Sequence, residues 1–383
     1  MAEKQKVVII GANEFQAPLI QKAKERGYET HVFAWAAGDV GERLADVFHP
    51  VSIVETDAIL AECRALAPAA VCSIGSDLAA ITVNRVAHGL GLPANPVRTA
   101  LTATNKYEMR QAFAAAGVPT PRFYRTAPGE DFSFAQTLEY PIIVKPTDRS
   151  GSRGITKLEG PEGLAQAVAA AAADSFEHRA IVEEYFSGPE YSVECISYEG
   201  RHTLLAVTEK YTTGAPHFIE TGHIQPSGLP DAALAAVRQA VFAGLDALGV
   251  TTGASHSECK VRADGSVRLI EIGARMGGDC IGSDLVFLST GLDFVGMVLD
   301  TALGHAPNLT PHAAPHTAAV RFLFSSADLA RLRALQAQHP EKLVRVSEIR
   351  MAAPGSIHDS ASRFGFYILA CASRSEAKEL AQL

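Results

Sequence analysis

The sequence predicts an α/β fold, and three observations carry that expectation. Near the N-terminus, short apolar runs alternate with stretches of helical periodicity, the order that builds a parallel sheet with helices on its faces. From Asn105 onward the texture changes to strands, turns and alanine-rich helix, which indicates an α+β region. The chain has 383 residues, 47% of them hydrophobic, which is enough for two or three packed units.

Taken in order, Lys6 to Ile10 is an apolar run ended by Gly11. Phe15 to Arg26 has helical periodicity stopped by Gly27, and Thr30 to Phe33 is the next strand. Val71 to Ile74 is a buried-strand segment before Gly75, and helical Leu78 to His88 leads into the Gly/Pro cluster Gly89 to Pro96. That cluster marks a boundary. A helix follows over Lys106 to Ala116, then strands and turns around Pro141 to Gly154. Gly160 to Ala173 reads as a helix because alanine has the highest helix propensity and Pro161 sits near its start. Segments 181–195 and 254–272 read as strands and Leu229 to Leu248 as a helix. The tail supplies strands at Ala318 to Phe324, Leu343 to Met351 and Phe364 to Cys371, with a closing helix after Ser373.

A net charge of −8 and a pI near 5.9 disfavour a nucleic-acid partner, since such binders present clustered basic surface. A small-molecule partner is expected instead. No apolar run approaches the roughly 20 residues that cross a bilayer, and the start lacks a leader pattern. The expectation is therefore a cytoplasmic protein with no membrane contact. The cysteines at 63, 72, 195, 259, 280 and 371 form no C-x-x-C pair and read as free thiols. His256, Glu258 and Cys259 lie close together, yet no second cluster supplies the remaining zinc ligands.

Three clusters can carry chemistry. Ile142 to Pro146 places Lys145 at the end of an apolar strand, before Ser150, Gly151, Ser152, Arg153 and Gly154. Backbone N–H groups in such a loop close over phosphates, and the lysine offsets their charge, although a solvated hairpin has the same local pattern. No Walker loop is present. The second cluster runs from Ile181 to Glu194. Its carboxylates can accept hydrogen bonds from an adenine amine and ribose hydroxyls while Phe186 covers the base, or they are ordinary exposed acids. In the third, Asp264-Gly265 between two strands signals a hairpin that sets Glu258 beside Glu271. Paired carboxylates with phosphates suit magnesium, and ion pairs to Lys260 or Arg268 are the structural alternative.

These clusters, in this order, resemble the ATP-grasp superfamily over roughly residues 105–300. The resemblance implies a Rossmann-like unit over 1–95, an ATP-grasp fold over 96–305 and a C-terminal α+β region over 306–383. It implies that Lys106 and Lys145 hold the α- and β-phosphates and that Ser150 to Gly154 is the covering loop. Glu183 matches the acid near the adenine amine, Phe186 the hinge residue whose backbone meets the base, and Glu190 the ribose acid. Glu258 and Glu271 match the magnesium carboxylates, with manganese as a substitute ion, and Arg275 matches the cation beside the transferred phosphoryl group. The family usually has asparagine two residues after the second acid, where this chain has Gly273.

Further matches at Glu220-Thr221-Gly222-His223, Gly253 to Glu258, Glu271 to Asp279 and Thr290 to Asp293 resemble the L-amino acid ligase branch. The resemblance implies an ADP-forming ligase that activates a carboxylate as an acyl phosphate and passes it to an amine, with His223 or His256 as proton acceptor. Other expectations stand beside it: an ATP-grasp enzyme acting on bicarbonate or a purine intermediate, and an ATP-binding protein without catalysis. A nicotinamide-dependent oxidoreductase is disfavoured, because G-x-G-x-x-G is missing after the first strand. The oligomeric state stays open, a homodimer included.

Overall fold

The computed structural model describes residues 4–151, 153–214, 218–351, 357 and 359–383. The first four strands are β1 Lys6–Ile10, β2 Glu29–Phe33, β3 Val47–His49 and β4 Ala70–Cys72. They form a parallel sheet in the order β3-β2-β1-β4, with β1 buried on both faces. A continuous apolar run such as Val7 to Ile10 is what a sheet covered by helices on both sides requires.

A second sheet is antiparallel: β5 Phe123–Thr126, β6 Ile142–Pro146, β7 Thr156–Leu158 and β8 Ala180–Glu184, in the order β5-β8-β6-β7. The alanine-rich helix Leu164–Asp174 covers it, placing Leu164, Val168 and Ala171 in its core. The third sheet has eight strands. They are β9 Glu190–Tyr198, β10 Arg201–Thr212, β11 Glu220–Gln225, β12 Gly253–Val261, β13 Val267–Gly273, β14 Thr317–Leu323, β15 Leu343–Val346 and β16 Gly365–Cys371. Their order is β13-β12-β9-β10-β11-β14-β16-β15, so the C-terminal strands extend the sheet begun by β9.

Packing joins the sheets. Val7 and Ile9 of β1 share one core with Ile196 of β9, Leu205 of β10 and the helix Phe294–Ala302. On the other face of the large sheet, helix Asp231–Leu248 approaches β13 at Gly244, where a Cβ would stand 2.7 Å from the Cδ1 atoms of both Leu269 and Ile272. All six cysteines are buried and unpaired, as the spacing predicts. Among the described residues, no single helix is long and apolar enough to cross a bilayer.

Two local expectations change. The strand read over Leu343 to Met351 stops at Val346, and the helix read from Gly160 begins at Leu164, after a left-handed Gly163.

Candidate functional site

The second and third sheets face each other across a cleft of about 160 Å³. One wall carries Ile143 and Lys145 of β6 and the segment Glu183 to Phe186 that leaves β8. The opposite wall carries Lys210, Glu258, Leu269 and Glu271. At the floor, helix Lys106–Ala115 presents Lys106 and Arg110, one turn apart on one face. Asn105 caps that helix by accepting from the Tyr107 and Glu108 N–H groups at 3.0 and 3.2 Å. The Lys106 N–H donates to Thr147 O at 2.7 Å, tying the helix start to the chain leaving β6.

The Asp264-Gly265 turn does what the sequence predicts. Asp264 Oδ1 accepts from Ser266 N at 2.9 Å, Gly265 adopts φ +81°, and the resulting register sets Glu258 directly opposite Glu271. Neither acid pairs with Lys260 or Arg268. Lys106 Nζ lies 2.9 Å from Glu271, and Lys210 Nζ lies 2.5 Å from Glu258 and 2.9 Å from Glu190. Burial opposes the charge on Lys210, but Glu190, Glu258 and Glu220 outweigh it and raise its pKa well above the usual value. Burial also opposes the charge on Glu258, whose pKa is nevertheless driven down by Lys210 and His256.

Lys145, at the end of β6, is buried. It is 4% exposed, with Nζ 2.6 Å from Glu183. Glu183 is also buried and accepts from Arg110 Nε at 2.8 Å and Nη2 at 3.2 Å. Although burial works against its ionisation, Arg110 and Lys145 bring the Glu183 pKa down to about 2. Lys145 has its pKa lowered by burial and by the neighbouring Arg110 and Lys106 charges, against the pull of Glu183. With two cations beside it, Lys145 sits where a further anion would be favourable.

Ser150 and Gly151 line the cleft and Gly154 stands beside it, whereas Ser152 lies outside the described residues. Lys106 Nζ donates to Arg149 O at 2.7 Å, which anchors that loop to the helix. The Phe186 ring sits at the rim beneath the Arg262 guanidinium, 3.8 Å from its centroid.

Three residues depart from the expected arrangement. Arg275 does not line the cleft; its Nε and Nη2 donate to Asp77 of the N-terminal region at 2.7 and 3.0 Å. His256 Nδ1 is hydrogen-bonded to the fully buried Glu194, and its Nε2 is 3.6 Å from Glu258. Burial lowers its pKa, but Glu194 and Glu258 prevail and raise it to about 9. His223 is buried with its Nε2 3.8 Å from Asp279, and burial lowers its pKa. It lines none of the cavities at this end of the molecule.

Sequence reasoning missed Lys210, Arg110, Glu194 and Asp77. Arg110 had a usable signal, four residues after Lys106 on the same helix. The others meet the site only through strand order and tertiary packing.

Comparison with known proteins fits this geometry. Residues 138–284, which include β6, β7 and β8 of the second sheet and the strands bearing both glutamates, match the family model described as the ATP-grasp domain. Over that segment the chain is similar to the ATP-grasp domain. Over 213 residues it is 32% identical to the alanine–anticapsin ligase of Bacillus subtilis, a match covering 49% of this chain and 44% of that protein. The chain thus spans less than half the length of that relative. A D-alanine–D-alanine ligase of Aromatoleum aromaticum is 30% identical over 210 residues, 53% of this chain and 66% of its own. The crystal structure of an L-amino acid ligase from Bacillus licheniformis superposes with a TM-score of 0.82 at 21% identity, covering 100% of this chain and 97% of that one. At that identity the ATP-grasp fold is what the two share.

Proposed function

We propose that this ATP-grasp protein is a ligase that uses ATP and magnesium to join a carboxylate to an amine through an acyl phosphate. The observation that carries the reading is the cross-strand pair Glu258–Glu271, each acid already neutralised by its own lysine inside the cleft. Two facing carboxylates repel unless cations lie close, and hard oxygen donors completed by phosphate and water suit magnesium. No group of three or more histidine, cysteine or acidic side chains able to hold a metal occurs among the described residues, so the pair fits an ion shared with phosphates better than a protein-only cage. Magnesium held by Glu258 and Glu271 would withdraw charge from the phosphates.

The chain's own groups divide the remaining work. Lys145 and Lys106 offset phosphate charge, and loop 150–154 with its N–H groups covers the phosphates and excludes water from the acyl phosphate. Ile143 and Leu269 offer apolar surface to the adenine, the backbone at Phe186 meets its edge, Glu183 faces its amine and Glu190 takes the ribose. The substrate carboxylate attacks the γ-phosphorus and ADP leaves; the amine then attacks the acyl carbon and phosphate leaves. Arg275, held against Asp77 outside the cleft, would reach the oxyanion of that second step only by turning from that pair. Two relatives bear names that specify alanine as a partner, which supports an amino acid or a related acid as substrate.

The test is a phosphate-release screen of the protein with ATP, magnesium and pairs of amino acids, followed by mass spectrometry. Equimolar ADP, phosphate and amide are expected for at least one pair. Lys145→Met is expected to cut that turnover about a hundredfold while the circular dichroism spectrum is kept. Tight ATP binding with no release across the panel would mark a binding protein instead.

A further inference from the structure

Two more cavities continue inward from the nucleotide cleft. The first, about 250 Å³, shares Lys106, Arg149, Ser150, Arg153 and Glu271 with the cleft and is rich in charged groups. It adjoins a second, about 90 Å³, through Asp77, Ile81, Ala103 and Thr104. The path therefore runs from the phosphate end, past the Asp77–Arg275 pair, into the interior between the N-terminal helices and the large sheet.

The inner cavity has an apolar wall that includes Ala80, Val83, Ala87, Ala100, Val298 and Ala302. Its polar side chains are largely spent on backbone. Ser73 Oγ donates to Ile10 O at 2.7 Å, Thr99 Oγ1 to Leu248 O at 3.0 Å, and Thr104 Oγ1 to Ala100 O at 2.6 Å. Asn95 accepts from Thr251 N and Thr252 N at 2.8 and 3.0 Å and donates to Thr252 O at 3.0 Å. A polar group entering here would exchange water for few partners, whereas a hydrocarbon group loses nothing. The Asp77–Arg275 pair is the charged boundary on the side of the reaction centre.

We infer that this inner cavity is a side-chain subsite for the carboxylate substrate, selective for short branched aliphatic groups, with the charged vestibule holding the polar end. An apolar cavity of about 150 Å³ admits a benzene ring, so the smaller space here suits roughly four aliphatic carbons better than an aromatic ring. The inference rests on the ligase reading for its link to catalysis, but binding tests it independently.

Isothermal titration of the full chain, with magnesium and ADP present, compares isocaproate with acetate and hydrocinnamate. Isocaproate is expected to bind at least tenfold more tightly than either. Ala80→Leu and Ala100→Leu each fill the cavity from a different helix, so a folding failure in one leaves the other to decide. Each is expected to weaken isocaproate at least tenfold while acetate binding changes less than twofold. Equal affinity for the three acids, or isocaproate binding that both fills leave unchanged, overturns the subsite. Phosphate release with leucine as the acid is read in parallel. Preference without release keeps the subsite and removes the ligase reading; release without preference does the reverse.

Discussion

Gly273 lies two residues beyond Glu271 on the same face of β13, where the family resemblance leads one to expect an asparagine reaching toward the metal. The structure gives another reason for glycine. A Cβ at this position would meet Asp77 Oδ1 at 3.0 Å and the Arg275 guanidinium carbon at 3.3 Å, so the space of the missing side chain is filled by that ion pair. Gly273→Asn is therefore expected to displace the pair and lower phosphate release at least tenfold at every magnesium concentration, as a titration of free magnesium would show. A shift of the dependence toward lower magnesium with the maximal rate intact would show instead that the asparagine adds a metal contact. Glu183 gives a pH prediction. Its folded pKa of about 2 lies below the ordinary value of 4.5, so its contribution is fully present above 4.5 and is lost as the pH falls toward 2. Glu183→Gln should cost about 3–5 kcal/mol at neutral pH, because Arg110 and Lys145 are left buried without their anion. Denaturant titrations from pH 7 to pH 2 should show that gap narrowing below pH 4.5. At this scale the sequence made legible the residues whose chemistry recurs in short motifs: Lys145, Glu190, Glu258 and Glu271 all reach one cleft. Lys210 was invisible because its importance comes from strand order, which places β10 beside β9 and so brings one ammonium to acids from separate strands.

Elements with strong local punctuation were readable. The hairpin of β12 and β13 follows from Asp264-Gly265, and β1 from an apolar run closed by Gly11. The strands β10 and β11 had no such signature: β10 runs twelve residues, Arg201–Thr212, with apolar and polar residues in blocks and a register break between Leu204 and Ala206. A strand patterned by neighbours on both sides, not by one solvent face, loses the period-two signal. Helix Asp231–Leu248 was legible as a helix, but its function as a close-packed brace was not. Gly244 lets its backbone approach the β13 side chains Leu269 and Ile272, neighbours of the cleft residue Glu271. Gly244→Leu should destabilise the fold by about 1–3 kcal/mol through overpacking. Thermal melts would record the loss, and an unchanged melting temperature would show that the helix can retreat freely.

Across the whole molecule, the N-terminal sheet and the eight-stranded sheet do not have separate interiors. Phe294 is 1% exposed in the core that contains residues of both, so truncating it weakens their common packing. Phe294→Ala is expected to cost about 3–5 kcal/mol, and calorimetry should show the whole transition moving to lower temperature. A separate transition left in place by the substitution would mean that the first sheet melts independently. The alternation of strand and helix announced an α/β beginning, but this shared core was hidden, because it is made by residues far apart in the chain. Among the described residues, the large sheet also has a border at β15, which is bonded to β16 alone. That strand is four residues long, carries Arg345 and breaks register between Leu343 and Arg345. A short, charged and irregular border is a poor template for a strand from another molecule. The same eight-stranded sheet that lines the cleft is thereby shielded, at this border, from the edge-to-edge growth that turns concentrated β-rich proteins into fibrils.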